Sequence, residues 1–313
     1  MSDTTVTADN SLPEKIDFIH QSHYGDNSFM WSVLAIMIGV VVFFIASVAI
    51  LFALGIIGTA LPTDDMPDGF EDHLLLLASF LAFYPAFWVA QTKIHKRKWL
   101  DLLTSAPTFR WSVLRNAAFL YGGAMIILAL YEWFSGGATW VYDSNSYWSF
   151  LIVTLILVPF QAASEEILLR GYANQFFVRY LKSPWVVYVI TSMIFASLHF
   201  ANPEADSGYF YQYVLLIFVA GFTACIVTHY TGGLEAAIGM HIFNNLVAFT
   251  VAGYDIPGEP TTTLLSLGEI QFSWFDTIVA VLFEFVVAFI VIWYLKRQQS
   301  RTILSANATN ITP

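Results

Sequence analysis

The stretch Tyr147–Arg170, YWSFLIVTLILVPFQAASEEILLR, decides the fold. From Tyr147 to Ser164 it carries no charge, as the hydrocarbon core of a bilayer requires, and it then delivers Glu165, Glu166 and Arg170 in quick succession. An ionisable side chain at the centre of a spanning helix costs roughly 2.5–3.5 kcal/mol even on the gentler insertion scales. A cluster of them implies mutual pairing and a task that needs them. Two later apolar runs behave in the same way: one carries Phe195 and His199, the other His241 and Asn245.

Outward from that stretch the chain stays apolar. Hydrophobic residues make up 57% and charged residues 12% of the 313, and mean hydropathy is +0.64, too apolar for a soluble domain of this size. The clearest runs are Trp31–Gly58, His73–Ala90, Trp111–Trp133, Tyr147–Arg170, Pro184–Phe200, Tyr209–His229, Leu234–Val251 and Phe272–Leu295. They predict an all-α, polytopic transmembrane bundle of about eight spans. No internal repeat is visible, so residues 31–295 read as one membrane domain with a functional core at about 147–251. A polar tail, 1–30, precedes it and a short tail, 296–313, follows.

Basic residues orient the bundle, because Lys and Arg are retained on the cytoplasmic side. Apart from Arg170 they are Lys15, Lys93, Lys96, Arg97, Lys98, Arg110, Arg115, Arg179, Lys182, Lys296, Arg297 and Arg301. All fall in segments that are cytoplasmic when both termini lie inside. The predicted outer loops hold acids instead, among them Asp64, Asp65, Asp68, Glu71, Asp72, Asp143, Glu204, Asp206, Asp255, Glu259 and Glu269. The formal charge of −10 argues against nucleic-acid binding. No basic n-region precedes a short apolar stretch, so no signal peptide is read. Cys225 stands alone, which leaves no intrachain disulfide or thiolate zinc site. Glycosylation patterns at Asn307 and Asn310 fall in a tail expected to be cytoplasmic and read as chance. The segment 93–110, basic and with Trp99 among leucines, suits an element lying along the cytoplasmic surface.

Helical spacing sorts the motif residues. Glu166 and Arg170 are four apart with the acid first, the favourable order for an ion pair, and Glu165 is displaced by about 100°. The simplest assignment holds Glu166 by Arg170 and leaves Glu165 for chemistry; the reverse assignment is open. Glu165 and His199 lie at similar separations from the turn 181–184, so a straight hairpin puts them at one depth, roughly 25 Å from it. His241 and Asn245 share a face, and Gly232, Gly233 and Gly239 allow that helix to begin tightly and approach its neighbours. Phe195 reads as packing beside the site, Asn244 as helix-to-helix glue, and Asn202-Pro203 as a helix stop. Glu284, in the last span, is either a neutral acid bonded to another helix or a wall of the chamber.

Such a set suits hydrolysis. A carboxylate can take a proton from water beside an imidazole, while a second imidazole and a carboxamide donate to a developing oxyanion. The same groups could instead ligate a divalent metal such as zinc through Glu165, His199 and His241. No HExxH run, Gly-x-Ser-x-Gly motif or catalytic cysteine competes.

Taken in order on consecutive spans, Glu165-Glu166-x-x-x-Arg170, Phe195-x-x-x-His199 and His241-x-x-x-Asn245 resemble the CAAX-processing and bacteriocin-processing (CPBP) family of intramembrane proteases. The resemblance implies an endopeptidase in which Glu165 activates water, His199 assists, and His241 with Asn245 stabilises the oxyanion. Glu166, Arg170 and Phe195 are then supporting residues. It leaves open whether the mechanism uses a metal or a glutamate-activated water, and no prenylated substrate is carried over. The expected partners are membrane lipid and a membrane-anchored or juxtamembrane peptide or protein, with no nucleic acid. The expected location is the inner membrane of a bacterial cell, spanned several times. Two other classes compete: an inert membrane binding or immunity partner, and a proton-coupled transporter using the same buried groups as a relay.

Overall fold

The computed structural model describes residues 17–23, 25–60, 67–256 and 262–309. Lys15, Asp64, Asp65, Glu259 and Asn310 lie outside the described residues. Eight helices stand where the eight apolar runs were read: α1 (Phe29–Ala60), α2 (Phe70–Ile94), α3 (Trp111–Ser135), α4 (Tyr147–Leu181), α5 (Pro184–Leu198), α6 (Phe210–Thr231), α7 (Glu235–Thr250) and α8 (Trp274–Thr309). The protein is an all-α polytopic bundle and an integral membrane protein. Among the described residues six of these helices are long and apolar enough to span a bilayer unaided; α5 and α7, of 15 and 16 residues, are shorter. The start of α7 is enclosed by protein, with Glu235 through Met240 all buried. A helix so enclosed has no need of a full lipid-facing length.

α1 is the opposite case. It is apolar all round, and exposed side chains such as Phe44, Val48 and Phe52 face outward along it, as befits a lipid-facing helix at the edge of the bundle. The main core lies between α3, α6, α7 and α8, where Ala117, Tyr121, Val227, Ala236, Met240, Val287 and Val291 pack together. Small residues let these helices approach. A Cβ at Gly122 would overlap the ring of Phe243, and one at Gly239 would overlap the carbonyl of Leu114, so α3 and α7 touch backbone to backbone.

The turn between α4 and α5 forms as the sequence indicates. Lys182 closes α4 in the left-handed region (φ 58°), and Pro184 opens α5, where a missing N–H costs nothing. α4 departs from the straight-hairpin expectation, because a π turn at Ile167–Ala173 widens it directly after Glu166.

Segment 93–110 does not lie flat on the surface. Leu102 and Thr104 are fully buried, and Arg97 turns inward to donate to the Gln175 side chain at 2.9 Å. Leu234 N–H donates to Leu103 O and Ser105 N–H to Gly232 O, so the segment is stitched to the α6–α7 turn. Arg110 completes the seam. Its Nε and Nη2 reach both oxygens of the fully buried Glu235, at 2.9 and 2.7 Å, and its Nη1 reaches Thr231 O. The basic patch read from composition is thus partly a structural wedge that sets where α7 begins.

At the other end of the bundle lies a small sheet that composition did not announce: β1 (Thr139–Trp140), β2 (Ala252–Asp255) and β3 (Leu265–Glu269), in the order β1-β3-β2. It ties the α3–α4 connection to the α7–α8 connection. Strands this short, with Gly and Asp in them, carry no readable alternation.

Candidate active site

Each motif places its residues through helix geometry. On α4, Gln161 and Glu165 are one turn apart on one face, and Glu166 and Arg170 one turn apart on the next. Glu166 and Arg170 are both buried. Arg170 Nη1 donates to Glu166 Oε1 at 3.1 Å and its Nη2 to the Gly221 carbonyl of α6, also at 3.1 Å. The guanidinium lies 4.4 Å from the centre of the Phe195 ring. Gly221 allows that approach, since a Cβ there would crowd both Phe195 and Arg170.

The same Glu166 oxygen accepts a second hydrogen bond, at 2.8 Å, from Nδ1 of His241 on α7. Arg170 donates to this same oxygen, which acts as the acceptor, so Nδ1 is a donor and the ring is oriented with Nε2 away from Glu166. Nε2 lies 3.7 Å from Glu165 Oε2. Glu165 Oε1 accepts a short hydrogen bond from Gln161 Nε2, while Oε2 is buried with no hydrogen-bond partner. Glu166 Oε1 is thus shared by Arg170 and His241, while each of the two acids keeps one buried oxygen, Oε2, without a hydrogen-bond partner.

Asn245, one turn after His241, donates from Nδ2 to Gln161 Oε1 at 2.8 Å and accepts from Asn244. Gln161 thus joins Glu165 to Asn245. Its spacing four residues before Glu165 was the available signal, and sequence reading passed over it because glutamine belongs to none of the three motifs. His199 ends α5 and turns back, its Nδ1 bonded at 2.8 Å to the Phe195 carbonyl. A carbonyl can only accept, so Nδ1 is the donor and Nε2 is left unengaged. Phe195 stacks edge-on against both His199 and His241, holding the two imidazoles on one aromatic plate.

These groups surround a cavity of about 120 Å³ whose walls include Glu166, Arg170, Phe195, His199, His241, Asn244 and Asn245. Glu165 joins them from the side, through Gln161 and His241. Glu284 also lines this cavity, and it is bonded to two neighbouring helices: Tyr121 OH and Thr223 Oγ1 each donate to it at 2.8 Å. Tyr121 further reaches Asn244 at 3.3 Å. Tyr121 and Thr223 lay outside every motif, and only packing reveals them. Among the described residues no three of His, Cys, Asp and Glu converge closely enough to hold a metal ion. Glu165, His199 and His241 are not gathered into such a set here, so no step below is derived through a metal.

Residues 145–247 match the family described as type II CAAX prenyl endopeptidase Rce1-like. The resemblance read from the three motifs is shown for this segment. The Rce1-like segment contains all seven motif residues and supports, at the level of the family, CAAX-type intramembrane endopeptidase activity. A relative from Bacillus subtilis (strain 168), described as the uncharacterized protein YyaK, is 27% identical over 248 residues, covering 77% of this chain and 80% of its own. No solved structure matches.

Proposed function

We propose that this protein is an intramembrane endopeptidase that hydrolyses a peptide bond of a membrane-anchored or juxtamembrane substrate with a water activated by Glu165. The observation that supports the reading is the buried Glu165 Oε2, which no hydrogen bond engages and which lies 3.7 Å from His241 Nε2; Glu166 also keeps an unengaged Oε2, but its Oε1 is shared by Arg170 and His241 and ties that acid to structure. A carboxylate so placed is held by Gln161 for proton transfer and is not consumed by structure.

In this mechanism a water lies between Glu165 Oε2 and the cavity, with His199 Nε2 helping to position it. Glu165 takes one proton as the water oxygen bonds to the substrate carbonyl carbon. The oxygen of that carbonyl becomes an oxyanion, to which Asn245 Nδ2 donates together with the Nε2–H of His241, an imidazolium in this step that keeps its Nδ1–H on Glu166. Glu165 then returns its proton to the leaving nitrogen as the carbon–nitrogen bond breaks. Asn245 must first release Gln161, which substrate entry would provoke. The setting, inside apolar helices, keeps competing water away and strengthens each polar contact.

The test is proteolysis by purified protein in nanodiscs on a library of membrane-anchored peptides, prenylated and unprenylated, read by mass spectrometry. Wild type, Glu165→Ala and His199→Ala are compared with and without a chelator. Cleavage lost in both variants and insensitive to chelation supports the reading; chelation reversed by zinc would replace the water-only route with a metal. Cleavage that survives Glu165→Ala would sink the assignment of the base.

A further inference from the structure

Arg170 faces two cavities. On one side is the cavity of the candidate active site; on the other is a second, of about 110 Å³, toward the basic-loop end of the bundle. Asn174, Tyr188, Thr228 and His229 line the second cavity, together with Asp17 and Phe18. Both cavities run along one stripe of α6. Gly221 accepts from Arg170, Ala224 lines the first cavity and Thr228 the second, at the i, i+3 and i+7 positions that share a helix face.

Thr228 carries the decisive atom. The residue is 3% exposed, yet its Oγ1 has no hydrogen-bond partner in the protein. Beside it, Tyr188 OH is 3.0 Å from Nδ1 of His229, which leaves the phenol with further hydrogen-bonding capacity. A cavity lined in this way, polar and larger than a single water needs, is the kind that holds ordered water rather than standing dry. We propose that it is a hydration chamber: it binds water on Thr228 and Tyr188 and passes it beside the Arg170 guanidinium to the first cavity. Its purpose rests on the hydrolase reading, because each bond cleaved consumes one water that hydrocarbon does not supply. The binding of water itself stands apart from that reading.

The experiment is X-ray radiolytic hydroxyl-radical labelling of the full chain in nanodiscs, which modifies buried side chains where water is bound beside them. Tyr188, 2% exposed, is expected to label far faster than Phe150, which is fully buried and lines neither of the two cavities. Thr228→Leu, which fills the space, is expected to cut Tyr188 labelling several-fold while leaving the exposed Tyr211 unchanged. Thr228→Val, of nearly the same shape, gives a smaller loss and serves if the leucine variant does not fold. Tyr188 labelling as slow as Phe150 in wild type, or equal in wild type and both variants, overturns the proposal. If labelling behaves as expected but no substrate is cleaved, the chamber stands and the hydrolase reading falls. If cleavage occurs, Thr228→Leu is expected to lower kcat with KM unchanged.

Discussion

Between Glu165 and Glu166 the helix turns by about 100°, and the two carboxylates meet different partners. Glu166 accepts from Arg170 and His241, so Glu166→Gln leaves a buried guanidinium unpaired, and its expected cost is about 3–5 kcal/mol, read as a fall in the midpoint of thermal unfolding. Glu165→Gln leaves those contacts intact. Its midpoint should stay near wild type while kcat falls by roughly 10²–10⁴-fold, the usual contribution of a general base. Gln161→Leu separates the two roles again, because it releases both Glu165 and Asn245 without removing either. A loss of up to about 100-fold in kcat is expected there, from misplacement alone. The Glu166–Arg170 pair was legible from spacing, since i, i+4 geometry is local. Tyr121 and Thr223 were not, because their partners come from other helices; Gln161 stands at a readable i, i+4 spacing from Glu165, but its link to Asn245 crosses to α7.

Among the elements, α7 carries His241 and Asn245, and its position depends on contacts at both backbone and side chain. The Arg110–Glu235 pair and the Leu103–Leu234 hydrogen bond fix its start, and Gly239 lets it lie against α3. Gly239→Ala drives a methyl group into the Leu114 carbonyl, a backbone atom that cannot rotate away, and should lower both stability and activity. Gly123→Ala, where a methyl group meets open space on the same α3, is the control and should be neutral or slightly stabilising. Equal unfolding midpoints for the two variants would show that the close approach does not matter. The glycines announced a tight helix, but which neighbour they admitted followed from the packed arrangement.

Across the whole molecule, the N-terminal segment, the α2–α3 connection and α4 are held together beneath the bundle. His95 is buried there, bonded through Nδ1 to Asp26 O and through Nε2 to Tyr172 OH. Burial pulls its pKa below the ordinary 6.5. The folded protein therefore binds this proton less readily than the unfolded chain. Stability from this group is full above about pH 6.5 and is lost as pH falls toward the lower folded value. Unfolding midpoints measured from pH 7.5 down to 5 should decline, and His95→Gln should flatten that decline. The Lys96–Asp26 pair nearby is largely exposed, so Lys96→Ala should change little. Arg97→Ala, by contrast, removes an inward-facing side chain and should be clearly destabilising.

The amino-acid sequence by itself determined that this is a polytopic helical membrane protein, where its helices run, and which three of them carry the motif residues. Those properties depend on composition and on spacing within one helix, both of which are local. Only the tertiary structure decided that His241 bridges the two acids, that Gln161 links Glu165 to Asn245, and that the basic segment 93–110 is a wedge beneath α7. It alone placed a second polar cavity behind Arg170. The Gln161–Glu165 bond apart, such contacts join residues tens to more than a hundred positions apart, and their geometry follows from how small residues let helices approach, which no single segment encodes.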